Sequence, residues 1–222
     1  MSKKKTKIII TLVIVAVVGI LGIVGLSTEA ENTTDSSVLK KWGDYLSDRF
    51  HKNTKVAGEK QESIYAEGKR ATITIDDMKQ TIEYYTIQGI SEEEAKKQAY
   101  EYMKESEALY QEALEQGYSV TEEEVHSYVE SLKEMMSSEE VDEISREQID
   151  NVISGFGNEE EYWKYQEEVY QELLVSQKYV GDLQRKFYED GANGQEEWIS
   201  YFENFKRELV EEEDFQIVGE LK

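Results

Sequence analysis

Residues 116–125 read Gln-Gly-Tyr-Ser-Val-Thr-Glu-Glu-Glu-Val, and no other stretch restricts the fold of this chain as much. A long helical pattern runs into it and another leaves. Gly117 stands where a helix ends in the left-handed conformation, which only glycine enters without a Cβ penalty. Thr121 reads as the next N-cap, and Glu124, three residues on, completes a capping box. Val120 and Val125 hold the staple positions on either side, so the second helix is aimed as well as started.

The same punctuation recurs. Thr74 with Asp77, stapled by Ile73 and Met78, starts one helix, which ends at Gly89. Ser91 with Glu94 starts the long helix that reaches Gln116. The helix from Thr121 runs to about Met135. Ser137 with Glu140, stapled by Met136 and Val141, starts a fourth that ends near Ser154, with Ser145 and Gln148 as a competing start. Gly155-Phe156-Gly157 reads as a loop, and Asn158 with Glu161 caps the longest helix, to about Glu189. After a flexible break at 191–194, a last helix over 195–211 carries Trp198, Phe202, Phe205 and Leu209 on one stripe. The chain contains no proline, so nothing forbids long helices between these caps. Residues 64–75 read as a small hairpin turning at Glu67-Gly68, and 215–218 as a short closing strand. The expected fold class is mainly α, an irregular bundle of long helices with a small β-hairpin element behind an N-terminal transmembrane helix.

Residues 1–7 form a basic head with Lys3, Lys4, Lys5 and Lys7. Residues 8–26 are apolar or small apart from Thr11, and at ~1.5 Å per residue they span roughly 28 Å, close to a bilayer core. The expectation is an uncleaved single-pass anchor in the cell membrane, with the N-terminus cytoplasmic and the domain extracytoplasmic. The competing reading is a cleaved signal. Its apolar stretch would be shorter, at about 7–15 residues, and Thr28-Glu29-Ala30 is a poor cleavage site. Residues 27–62 read as a tether holding a short amphipathic helix over 38–50, with Val38, Trp42, Tyr45, Leu46 and Phe50 in phase. Residues 63–222 form the helical domain.

Two of these stretches carry a resemblance. The joint at 116–125 resembles the "A-x-x-x-G-I-x-V-T-x-E-E-V" junction in the N-terminal domains of SurA-type and PrsA-type extracytoplasmic chaperones. Upstream, Ala66-Glu67-Gly68-Lys69 and Ile73-Thr74-Ile75-Asp76-Asp77-Met78 resemble that family's "V-N-G … I-T-x-E-E-F" opening. The two occur in the family's order, and the resemblance covers about 63–189. It implies a domain that binds unfolded polypeptides. Many relatives also carry a parvulin prolyl-isomerase between the early helices and a returning C-terminal helix. Such a module needs on the order of a hundred residues, and only 190–194 separate those helices here. The resemblance therefore implies the chaperone part without the enzyme.

The residues themselves offer no catalytic constellation. The two histidines, His51 and His126, stand in no zinc-binding frame, and Asp142, Glu143 and Asp150 do not follow calcium-loop spacing. There is no cysteine, no phosphate-binding glycine motif and no nucleophile elbow. Neither a cofactor nor a metal is expected. The net charge of −23 opposes binding to nucleic acid and to anionic membrane surfaces, and leaves a cationic client or wall polymer open.

What remains is broad apolar surface. Tyr84, Tyr85, Tyr102, Met103, Met135, Met136, Tyr162, Trp163 and Tyr165 are the candidate client-binding residues, because aromatic and methionine side chains give large, adaptable contact area. Each also fits a helix–helix core. Adjacent pairs such as Tyr84 with Tyr85 fit it less well, since neighbours on a helix point about 100° apart. The expected function is a membrane-anchored extracytoplasmic chaperone-like protein that binds unfolded or newly exported polypeptides without catalysis. The alternative is a membrane-tethered adaptor binding one fixed envelope partner.

Overall fold

The computed structural model describes residues 35–55, 63–138, 141, 143–191 and 194–221. In chain order these form α1 (Ser36–Lys55), β1 (Ile64–Glu67), β2 (Thr72–Thr74), α2 (Ile75–Ile87), α3 (Glu92–Glu115), α4 (Glu122–Met136), α5 (Glu143–Phe156), α6 (Glu159–Glu189), α7 (Gln195–Glu213) and β3 (Gln216–Ile217). The basic head and the apolar run at 8–26 lie outside the described residues, as do the parts of the tether at 27–34 and 56–62. Among the described residues no helix is long and apolar enough to cross a membrane.

Local capping explains most helix starts. Thr74 Oγ1 accepts the Asp77 N–H at 3.0 Å, and Asn158 Oδ1 accepts the Glu161 N–H at 3.2 Å. Thr121 and Glu124 exchange both bonds of a capping box, at 2.8 and 3.2 Å. Gly117 has φ 84° in the turn before it.

The structure departs from expectation where packing overrides local signals. Ser137 closes α4 instead of opening the next helix: its N–H bonds to the Lys133 and Glu134 carbonyls, and its hydroxyl donates to Lys133 O. α5 starts at Glu143, and Ser145 is buried within it. Gly155 and Phe156 are helical, not loop, and α5 ends at Gly157 with φ 85°. α1 outruns 38–50 in both directions, and α7 extends to Glu213.

The described chain divides into two units, residues 35–55 with 121–171, and residues 63–120 with 172–221. One boundary falls between Val120 and Thr121, inside the stretch that dominates the sequence; another falls within α6.

In the first unit α1 packs on α5. A Cβ on Gly43 would lie 2.0 Å from the Val152 carbonyl oxygen, and one on Gly155 would lie 2.0 Å from that of Lys40. The two backbones therefore touch. Leu39, Trp42 and Leu46 of α1, Val152 and Phe156 of α5, Val125 and Val129 of α4, and Tyr162 and Tyr170 of α6 are buried. The Phe156 ring lies 5.8 Å from those of Phe50, Tyr162 and Tyr165.

In the second unit the strands pair antiparallel in the order β2-β1-β3, with Ala66 opposite both Ile73 and Ile217. Ala66, Ile73, Met78, Ala99 and Met103 form a core that Tyr65, Tyr85, Tyr102 and Phe215 close over. α7 buries Trp198, Phe202 and Leu209 along one stripe, and the same stripe carries Lys206 and Glu213. Lys206 Nζ donates to Glu105 at 2.8 Å and pairs with Glu203 at 2.9 Å. Glu213 accepts the backbone N–H groups of Arg70 at 2.8 Å and Ala71 at 3.1 Å, and the Arg70 Nε–H. The Arg70 guanidinium also reaches Glu112 and Glu115.

Candidate functional site

A cleft of about 560 Å³ opens in the first unit between the C-terminal half of α4, α5 and the first turn of α6. Its apolar lining comes from Met136, Ile149, Ile153 and Trp163. Ile149 and Ile153 stand one turn apart on α5 and share a face. Lys133, Ser137, Arg146, Asp150, Glu159 and Glu160 supply the polar lining.

The charges around Trp163 are mostly engaged. Lys133 lies 5.6 Å from the indole centroid and also pairs with Glu130. The indole Nε1–H donates to Glu159 at 3.3 Å. Glu160 accepts from Lys164 at 2.9 Å, and this hydrogen bond holds its carboxyl below the usual range. The ring is thus fixed in orientation, with 9% of its surface exposed at the cleft.

The candidate residues fall into both units. Met136 and Trp163 meet in the cleft. Tyr162 and Tyr165 are buried beside Phe156, and Met135 is half-buried outside the cleft lining. In the second unit Met103 is core, and Tyr84, Tyr85 and Tyr102 are half-buried on α2 and α3. The Tyr84 and Tyr85 rings sit 5.6 Å apart, and burial pushes the Tyr84 phenol up to about 12. Arg146, Ile149, Asp150 and Ile153 did not stand out in the sequence. Their only signal is spacing along α5, which any amphipathic helix shows.

Comparison of the chain with family models, curated proteins and solved structures gives no match. The reading of the site therefore rests on its own geometry.

That geometry offers binding. Among the described residues no group of three or more histidines or carboxylates is placed to hold a metal ion. His51 Nε2 meets Glu161 at 3.0 Å beside its Nδ1 contact with the Ser47 carbonyl, and His126 Nδ1 meets Glu167 at 2.7 Å. Each histidine is tied to a carboxylate, away from the cleft lining.

One carboxyl of the second unit is displaced far from its ordinary value. Burial, with the nearby Asp77 and Glu172 carboxylates, pushes Glu107 from 4.5 up to about 8. The folded state then binds the Glu107 proton more tightly than the unfolded state. Its contribution is present below pH 4.5 and is lost as pH rises through about 8. Glu107→Gln is expected to leave stability nearly unchanged near pH 4.5 and to raise it by roughly 3–5 kcal/mol at pH 8.5. Urea unfolding at the two pH values measures this; equal effects at both would refute it.

Proposed function

We propose that this protein is a membrane-anchored, extracytoplasmic, non-catalytic binder of unfolded or newly exported polypeptides, a polypeptide-binding role that the resemblance of its two motifs to the SurA-type and PrsA-type chaperones supports. The observation that carries the reading is the cleft on α4, α5 and α6. Its lining combines a fixed indole, a flexible thioether and two isoleucine side chains with charges of both signs. Such a surface accepts apolar side chains of varied shape, and polar groups around it orient a main chain. The strong net negative charge keeps the protein soluble while this surface stays open.

The test is light scattering from two unrelated, chemically unfolded proteins, with and without the full-length chain. Both are expected to aggregate less. Met136→Ser combined with Ile153→Ser is expected to remove that protection with little change in the melting curve, because both side chains are half-buried. Protection of neither client at stoichiometric excess would defeat the chaperone reading in favour of an adaptor with one fixed partner.

A further inference from the structure

We infer that the cleft receives the C-terminal residue of a polypeptide, with its carboxylate on Arg146 and its apolar side chain against Trp163 and Met136. This rests on the polypeptide-binding reading and specifies which part of the ligand the cleft takes. Arg146 lines the cleft half-buried. One terminal guanidinium nitrogen donates to the Ser138 carbonyl at 2.7 Å. Its Nε is buried and has no hydrogen-bond partner.

Among the described residues no carboxylate lies within ion-pairing distance of this guanidinium. Yet the chain carries 48 acidic residues against 25 lysines and arginines. The charge of this half-buried side chain is thus left without a described counter-charge, and a ligand carboxylate at the cleft would offset it. The planar guanidinium suits carboxylate and phosphate alike, and of the two a polypeptide end supplies the carboxylate.

The other charges of the lining point the same way. Lys133 is held by Glu130 and lies over Trp163, so it does not compete for an anion. Glu159 and Glu160 are engaged by Trp163 and Lys164. Asp150 is exposed one turn after Arg146 on α5 and opposes an anionic ligand only weakly through solvent. The volume of about 560 Å³ suits the end of a chain rather than a long internal segment. Capture of a C-terminal carboxylate is an established mode of peptide recognition, and here a guanidinium would take the place of the usual backbone N–H donors.

The experiment is fluorescence anisotropy of the full-length chain with an N-terminally labelled hexapeptide ending in leucine, as the free acid and as the C-terminal amide. The acid is expected to bind roughly tenfold more tightly than the amide. Arg146→Gln should abolish that difference while amide binding persists, and Asp150→Asn should widen it. Replacing the final leucine by serine should weaken the acid. Equal binding of acid and amide to the unmodified protein overturns the inference and leaves polypeptide binding intact. Binding of no peptide sinks both. The acid–amide comparison needs no variant, so a misfolded Arg146→Gln protein does not rescue the idea.

Discussion

Gly155→Ala is expected to destabilise the first unit by about 3 kcal/mol or more, at the upper end of overpacking costs. A Cβ there would stand 2.0 Å from the Lys40 carbonyl oxygen and 2.9 Å from the Asp44 nitrogen. Both are backbone atoms, so no side-chain rotation relieves the clash, and α1 must move away from α5. Gly43→Ala meets Val152 O and Phe156 N at the same two distances, and should cost a similar amount. The two substitutions should be less than additive, because one displacement of the helices relieves both. Gly181→Ala serves as the control. It lies inside α6 with nothing within 4 Å of the added Cβ, and should stabilise by up to about 1 kcal/mol through helix propensity. Urea unfolding of the three variants decides the matter. A Gly155→Ala midpoint matching the unmodified protein would mean that the two backbones do not touch.

Arg70→Ala is expected to cost roughly 3–5 kcal/mol, the usual result of stripping one partner from a buried ion pair. The Glu213 side chain is fully buried and would keep only its two backbone donors. The dependence on pH follows from Glu213. Burial pushes its carboxyl up, but the Arg70 and Ala71 N–H groups and the guanidinium outweigh burial and leave it below 4.5. A depressed carboxylate stabilises the fold above its unfolded value and loses that contribution as pH falls through its folded value. Acid should therefore weaken the unmodified protein below about pH 4.5. Arg70→Ala should show a shallower acid limb, because the uncompensated carboxylate takes up its proton more readily. Arg70→Lys should recover only part of the loss, since an ammonium cannot reproduce the fork of bonds to Glu213, Glu112 and Glu115. Equal stability of Arg70→Ala and the unmodified protein at pH 7 would show that the cluster is a surface ornament.

The punctuation of the chain was legible because capping is local. The bonds from Thr74, Thr121 and Asn158 close within three residues, so residue identity and spacing are enough to anticipate them. The β1–β2 hairpin and the β3 strand were legible for a similar reason, since turn residues and β-branched runs act over short range. The site was legible only in part. Met136 and Trp163 stand out by type, but nothing local says that they meet while Tyr162 and Tyr165, on the same helix, turn into the core.

By itself, then, the sequence determined the four capped helix starts at Thr74, Ser91, Thr121 and Asn158 and how acidic the protein is, because those properties belong to a few neighbouring residues or to simple counts. Tertiary structure decided the rest. Gly43 and Gly155, more than a hundred positions apart in sequence, are unremarkable until their two helices are laid backbone to backbone. Lys206 and Glu213 look like surface charges until Glu105 and Arg70 arrive from elsewhere to neutralise them. The cleft exists only where three helices leave space between them, and the exposure of Met136, Ile153 and Arg146 follows from that packing rather than from their own preferences.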